Sequence, residues 1–414
     1  MKKILIVGAG IEQVAAIKVA KEMGHYVIVS DMSLNAPGIK FSDLAFKVST
    51  TDIEGNIELA EREKIDGVMS ICSESAILTV AAVAEKMKLP SFTMNTAIKA
   101  TNKAEMRKAL SVNNIRVSPF EIADCFNKVQ EFTNINEGPW VVKPVDSSGQ
   151  RGTYIINERS KLKGAFENSI KFSDANAVLI DKYVKGPEIH VAMQVINKKV
   201  HFLALSDRIS LNEDYFGIAI QHLGPSVIES KIELAIHDLC RRSVESIGLV
   251  NGVATCELIL DNGEPVLLEI AIRVPGGYLR EVAMYLSGVD VVKTTIWNCL
   301  GENRGFDEMK TEDVYPAVSV KFISSLNLSQ KIKTIETIEN VDKILKLKAI
   351  KCCNFHFEKP FNVPELNSSV GRFGAIIGVG DSREKVMEKV DGAFKLLEIN
   401  DLTLVNYRDT INKT

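Results

Sequence analysis

No CxxC pair and no HExxH helix occurs in the chain, and its six histidines fall at no metal-ligand spacing. The seven cysteines (Cys72, Cys125, Cys240, Cys256, Cys299, Cys352 and Cys353) are odd in number, scattered and mostly set in apolar runs. That pattern excludes a disulfide scaffold and leads us to expect reduced thiols in a cytoplasmic protein. No stretch approaches the roughly eighteen uninterrupted apolar residues of a membrane helix, so no membrane span is expected. The formal net charge of -3 offers no basic face for nucleic acid or an anionic lipid surface. The opening MKKILIVGAGIEQ imitates a signal peptide, but its apolar run is brief and flows into a glycine turn, as a first strand does.

With 414 residues the chain exceeds what one core usually organises, and two or three domains are expected. Residues 1–92 alternate strand and helix: KKILIVGAG, the helix EQVAAIKVAKEMG stopped by Gly24, HYVIVSD, IEGNIELAEREKI, GVMSICSES and AILTVAAVAEKM. This order predicts an α/β unit, a Rossmann-like parallel sheet with helices on both faces. Beyond residue 93 the rhythm changes. TNKAEMRKAL reads as a helix capped by Thr101 or Asn102, and GPWVVKPV, TYIIN, AVLIDKYV, IHVAMQVI and KVHFLAL follow as strands joined by turns, hence antiparallel. Residues 231–248 read as a helix, VATCELIL and PVLLEIAI as a hairpin, and residues 279–299 as one helix closing a central segment at about 304. Residues 305–414 mix short strands with the helix REKVMEKVDGAFKLLEI and read as a small α+β domain.

Two glycine motifs carry less than they suggest. Gly8-Ala9-Gly10 with Asp31 is part of a dinucleotide fingerprint, but Gln13 stands where the third glycine belongs. GVDVVKT at residues 288–294 lacks the second glycine and preceding strand of a P-loop, and reads as a helix entry.

The stretch WVVKPVDSSGQRGTYI is more pointed. Lys143 ends an apolar strand and is followed by the small flexible loop of residues 147–152. A buried lysine needs an anion, and a Gly/Ser loop exposes backbone N–H groups; together they suggest a phosphate. Downstream, Thr255, Glu257 and Ile259 share one strand face, and Glu269, Ala271 and Arg273 share another. A two-residue loop at Asn262-Gly263 sets Glu257 opposite Leu268, whereas a three-residue loop, residues 262–264, pairs Glu257 with Glu269, Leu258 with Leu268 and Leu260 with Val266. The second register keeps apolar residues together and is the one expected. Two carboxylates directly opposite each other repel unless a cation sits between them, and Mg²⁺ held by few carboxylates plus nucleotide phosphates fits. Arg273 then lies beside the transferring phosphate.

Taken in chain order, TNKAEMRKAL, WVVKPVDSSGQRG, LIDKYVKGPEIH, CELIL with LLEIAIRVPGG, and GRFGAIIGVGDSREKVMEKV resemble the ATP-grasp superfamily of carboxylate–amine ligases. The resemblance implies an N-terminal Rossmann-like domain over residues 1–92, a central ATP-grasp domain of two α+β subdomains over 93–304, and a C-terminal α+β domain over 305–414. It implies ATP with Mg²⁺ or Mn²⁺ as cofactors, small carboxylate and amine substrates, and a homodimer. Carried over position by position, Lys103 and Lys143 contact ATP phosphates. Ser147, Ser148, Gly149 and Gly152 belong to the lid over them. Asp181, Lys182 and Val184 cup the adenine, and Glu188 bonds the ribose. Glu257 and Glu269 are the metal ligands, and Arg273 steadies an acyl-phosphate. An asparagine that often supplies a third metal ligand is here Ala271, and EIAIRVPGGY is most similar to the L-amino-acid ligase branch. Glu74 and Arg280 are candidate substrate contacts.

The expected activity is therefore ATP-dependent amide or peptide bond formation. A biotin-carboxylase or purine-pathway-like enzyme using bicarbonate or formate is the alternative within the superfamily, and a nucleotide-binding module without turnover the alternative outside catalysis.

Overall fold

The computed structural model describes residues 1–147, 149–211, 217–302 and 304–407. The chain forms two compact units, one of Met1–Leu203, Ile228–Met284 and Gly288–Thr311, the other of Ala204–Val227, Tyr285–Ser287 and Glu312–Thr414.

In the first unit, β1 (Lys3–Val7), α1 (Val14–Glu22), β2 (Tyr26–Asp31), β3 (Leu44–Lys47), α2 (Ile53–Glu63), β4 (Gly67–Met69) and α3 (Ile77–Met87) build a parallel sheet of order β3-β2-β1-β4. Leu5, Val7, Ile28 and Val68 on one face pack with Leu59, Val80 and Val83 of α2 and α3. Gly24, at φ 80°, ends α1 as expected, and Asp52 caps α2 by accepting the Gly55 N–H at 3.0 Å.

Next come α4 (Met94–Thr101) and α5 (Lys103–Val112). Of the two candidate caps for α5, Asn102 is the one used, accepting from the Ala104 and Glu105 N–H groups. β5 (Phe120–Ala123), α6 (Phe126–Ile135), β6 (Trp140–Pro144), β7 (Tyr154–Ile156), α7 (Leu162–Ser169) and β8 (Val178–Lys182) follow, the strands pairing antiparallel in the order β5-β8-β6-β7. After β9 (Glu188–Ile196), β10 (Lys199–Ser210) crosses the unit boundary and β11 (Ala219–Gly224) lies in the second unit. The chain returns to the first unit with α8 (Ser230–Ile247), β12 (Gly252–Asp261) and β13 (Glu264–Ala271), where β12 pairs antiparallel with both β9 and β13. The helix expected over 279–299 is two helices, α9 (Leu279–Ser287) and α10 (Val291–Cys299). Gly288 at φ 78° stops the first, and Asp290 caps the second by accepting from Val292 and Lys293 N–H, which is the ordinary helix entry GVDVVKT suggested.

In the second unit, Ala219–Gly224, Ala317–Ser324, Arg372–Gly380 and Ile350–Phe355 pair antiparallel in that order. The helix Arg383–Leu396 packs on this sheet through Val386, Val390 and Phe394.

The β12–β13 hairpin pairs Glu257 with Glu269 as expected, but by a different route. The loop is two residues, Asn262 and Gly263, both at positive φ (51° and 83°), the type I′ geometry that Asn-Gly favours. Asp261 faces Glu264 and Leu258 faces Leu267, so the three-residue loop and its Leu258–Leu268 pairing are corrected. A bulge between Glu257 and Leu258 takes up Leu268 and restores the parity. Arg116 binds Asp261 at 3.1 Å and also Glu264, pinning the hairpin tip. Replacing Gly263 by valine forces a β-branched side chain into a left-handed conformation and is expected to cost about 1–3 kcal/mol, read as a lower denaturation midpoint.

Candidate active site

Lys143 and Asp181 sit on one face of the β6–β8 pair. Val141 is directly opposite Asp181, and Lys143 is two residues further along, so the lysine is the diagonal neighbour of the aspartate. Its Nζ lies 2.9 Å from Asp181 Oδ2. Arg107, one helical turn after Lys103 on α5, brings Nη2 to 3.4 Å of Asp181 Oδ1, and Ser118 donates to the same oxygen at 3.2 Å. Asp181 is only 4% exposed and Arg107 1%. Burial pushes the Asp181 carboxyl up, but Lys143 and Arg107 outweigh it and hold the group below the usual carboxylate range. One buried carboxylate thus faces two cations, and Arg107 Nε and Nη1 find no hydrogen-bond partner among the described residues. The surplus is positive and belongs beside an anion.

Asp181, expected with Lys182 and Val184 to cup the adenine, instead points inward as this counter-ion. Lys182 is exposed at the end of β8, its N–H donating to the Pro119 carbonyl at 2.8 Å, and Val184 is half-buried just beyond. Glu188 opens β9, opposite Ile259 of β12. Arg107 is the residue that sequence reasoning passed over; its spacing of four from Lys103 on one helix was the available signal.

Lys103 donates from Nζ to the Ser147 carbonyl at 2.6 Å, and its own N–H reaches the Val145 carbonyl at 2.6 Å. The helix start and the loop after β6 are therefore tied together. Gly149 is exposed at φ 67°, with open space where a Cβ would stand. Gly152, at φ 73°, has no such room: a Cβ there would lie 2.8 Å from Phe172 and 2.9 Å from Pro144. The loop is anchored at one end and open in the middle. Ser148, expected in the same loop, lies outside the described residues.

The opposite charge gathers on the hairpin. Glu257 is exposed and Glu269 half-buried, directly opposite each other, and His190 of β9 neighbours Glu257 on its other side. Arg273 donates from Nε to Glu74 Oε2 at 2.8 Å, a pair 199 residues apart in sequence, and from Nη1 to the Val274 carbonyl at 3.4 Å. Burial raises the Glu74 carboxyl; Arg273 opposes the rise, Glu269 adds to it and Lys103 opposes it. Burial lowers Arg273, but Glu74 first and Glu269 among the others bring it above its ordinary value. Glu74, Glu269, Arg273 and Lys103 therefore act on one another.

Arg280 is already engaged, its Nε 2.7 Å from Glu281 and its Nη1 3.3 Å from the Glu12 carbonyl. Cys72 beside these groups is no nucleophile, since burial pushes its thiol up to about 12. The first glycine turn is likewise occupied. Asp31 accepts the Ala9 N–H at 2.9 Å, and buried Gln13 donates to the Ile71 carbonyl at 2.6 Å.

Among the described residues no three His, Cys, Asp or Glu side chains gather as a preformed metal site. Two opposed carboxylates with Ala271 beyond them do fit a magnesium ion whose remaining ligands are phosphate and water oxygens.

Residues 100–277 match the family model of the ATP-grasp domain, and the chain carries that domain. ATP-grasp enzymes use ATP and Mg²⁺. The chain is similar over 270 residues to pyruvate carboxylase of Bacillus subtilis, at 24% identity, covering 59% of this chain but only 22% of that larger protein. It is 21% identical over 277 residues to the formate-dependent phosphoribosylglycinamide formyltransferase of Methanocaldococcus jannaschii, covering 66% of this chain and 69% of the relative. Its fold matches the crystal structure of an L-amino acid ligase from Bacillus licheniformis with a TM-score of 0.80 at 19% identity, over 96% of this chain and 98% of that one.

Asp181→Asn is expected to destabilise the fold by about 3–5 kcal/mol at neutral pH, because two buried cations lose their counter-charge. The folded-state value of Asp181 is depressed, so its contribution is complete above the ordinary carboxylate range and disappears as pH falls through that depressed value. Denaturant titrations of both proteins across that range should therefore converge on acidification; a gap that persists at low pH contradicts the assignment.

Proposed function

We propose that this chain is an ATP-dependent carboxylate–amine ligase acting on an amino acid or similar small carboxylate. The supporting observation is the separation of charge: Lys143 and Arg107 share Asp181 and Lys103 holds the Ser147 carbonyl of the loop after β6, while Glu257 pairs with Glu269 and Glu74 binds Arg273. An anion carrying a divalent cation satisfies both.

In this reading Lys103 and Lys143 hold the β- and γ-phosphates under the loop containing Ser147, Gly149 and Gly152. Lys182 and Val184 flank adenine, and Glu188 takes the ribose hydroxyls. Glu257 and Glu269 would hold Mg²⁺, which when bound neutralises phosphate charge. A substrate carboxylate oxygen attacks the γ-phosphorus, the bond to the β-phosphate oxygen breaks, and ADP departs. This step turns a carboxylate oxygen, otherwise a very poor leaving group, into phosphate. An amine then attacks the acyl carbon, the C–O bond to phosphate breaks, and the nitrogen releases a proton. Glu74 pairs with the Arg273 guanidinium; the acyl-phosphate competes for it, and the arginine stabilises the oxyanion or the departing phosphate. The loop after β6 excludes water from the hydrolysis-prone intermediate.

Bicarbonate and formate remain the competing carboxylate substrates, since the curated relatives include a formate-dependent enzyme and a carboxylase. Phosphate release from Mg-ATP is therefore to be measured against amino acids singly and in pairs, with bicarbonate and formate as separate arms. Turnover requiring two amino acids, with a product of their summed mass less water, is the expected result. Turnover with bicarbonate or formate alone moves the chain to those chemistries. Glu269→Gln is expected to lower turnover ~100-fold or more with an unchanged fold by circular dichroism. Lys182→Ala is expected to raise the ATP concentration required for half-maximal rate, and an unchanged value removes Lys182 from the nucleotide site.

A further inference from the structure

Of the two cations on Asp181, only one is placed to meet a ligand. Lys143 is partly open to solvent, whereas Arg107 is fully buried on α5, its guanidinium 5.8 Å from the centre of the Phe120 ring of β5. Arg107 therefore acts on the site through Asp181 rather than by direct contact.

The hydrogen bonds on that carboxylate are unevenly shared. Oδ1 accepts from Ser118 at 3.2 Å and from Arg107 Nη2 at 3.4 Å, while among the described residues Oδ2 is left to Lys143 at 2.9 Å. Arginine and carboxylate pair best as a fork of two parallel N–H···O bonds, and a single contact of 3.4 Å is long for a charged pair. Nη2 has a neighbour on either side in the guanidinium, Nε and Nη1, and both are buried donors with no partner among the described residues. Donors left unmade in the interior are costly. The oxygen that would complete the fork is the one Lys143 holds.

We propose that Arg107 is a positioning residue that takes over Asp181 when Lys143 turns to a nucleotide phosphate. In the exchange Lys143 Nζ leaves Oδ2, the carboxylate swivels about its broad terminal torsion, and Oδ2 accepts from Nε or Nη1 of Arg107. Two parallel bonds replace one long one, and the buried carboxylate is never left without a partner. Lys143 is thus held by a carboxylate before the nucleotide arrives and released without uncovering a buried charge. A Lys143–Asp181 pair standing alone would offer no such release. This role for Arg107 rests on the reading that puts Lys143 at the phosphates, and the two are tested apart.

Calorimetric titration of the full chain with the magnesium complex of β,γ-imido-ATP reads nucleotide affinity without turnover. Lys143→Met is expected to weaken binding; an unchanged affinity, or a wild-type chain that does not bind, removes the reading and the role of Arg107 with it. Arg107→Met leaves one cation on one carboxylate, and is expected to keep its circular dichroism and to bind the nucleotide ~10-fold or more weakly. Adding Asp181→Asn to Arg107→Met removes the carboxylate that must be released, and is expected to restore most of the lost affinity. A folded Arg107→Met with wild-type affinity overturns the proposal. So does a loss that persists in Arg107→Met/Asp181→Asn, which would mean that Arg107 only supports packing. A crystal structure of the wild-type chain with the same nucleotide needs no variant to fold. It is expected to show Arg107 and Asp181 joined by two parallel bonds and Lys143 Nζ out of hydrogen-bond reach of Oδ2; a Lys143–Asp181 pair retained beside bound nucleotide overturns the proposal.

Discussion

Asp181 is the residue on which the site's electrostatics turn. A lysine at the end of a buried strand is stable only beside a counter-charge, and here the counter-charge is shared with Arg107. A carboxylate divided between two cations neutralises neither. The arrangement aims Lys143 while leaving the cluster short of negative charge, and in the proposed reading a nucleotide phosphate supplies that charge. Charge imbalance within the fold is in this sense preorganisation for the ligand.

The hairpin carries the mirror image. Glu257 and Glu269 are forced together by register, Glu74 arrives from the loop after β4, and Arg273 answers only part of the negative charge. The raised Glu74 carboxyl is a measure of that crowding, burial contributing most and Glu269 adding to it. In the proposed reading a metal ion meets the excess on this side, as phosphate meets the excess on the other. The first parallel sheet contributes through Glu74 rather than through its glycine turn. Asp31 spends its carboxylate on closing that turn, and Gln13 is committed to the Ile71 carbonyl.

Strand alternation made the order of elements and the opposed glutamates legible in the sequence, because a carboxylate on an otherwise apolar strand declares which face is polar. The route to that register was not legible. Counting loop parity assumes an unbroken ladder, and the bulge that absorbs Leu268 leaves no mark in composition. Asp181 misled for a related reason. Val178, Leu179, Ile180 and Asp181 are all buried, so β8 shows no period of two from which an inward direction could be read. The Glu74–Arg273 pair lies beyond any local pattern, since the fold alone brings positions 74 and 273 together.

Ala271 then acquires a physical reading. A third protein ligand would bind the metal in the absence of nucleotide, whereas two mutually repelling carboxylates hold it well only when phosphate oxygens complete the coordination. In the proposed reading metal and nucleotide affinity are coupled by that choice, each supplying the charge the other side of the site lacks. The same logic explains why the loop after β6 is anchored at Gly152 yet open at Gly149. If the loop is the lid of the proposed reading, one fixed end gives it register and a free middle lets a metal-bearing nucleotide pass. In the proposed reading Arg273, held by Glu74, has its guanidinium in place for the step at which negative charge develops.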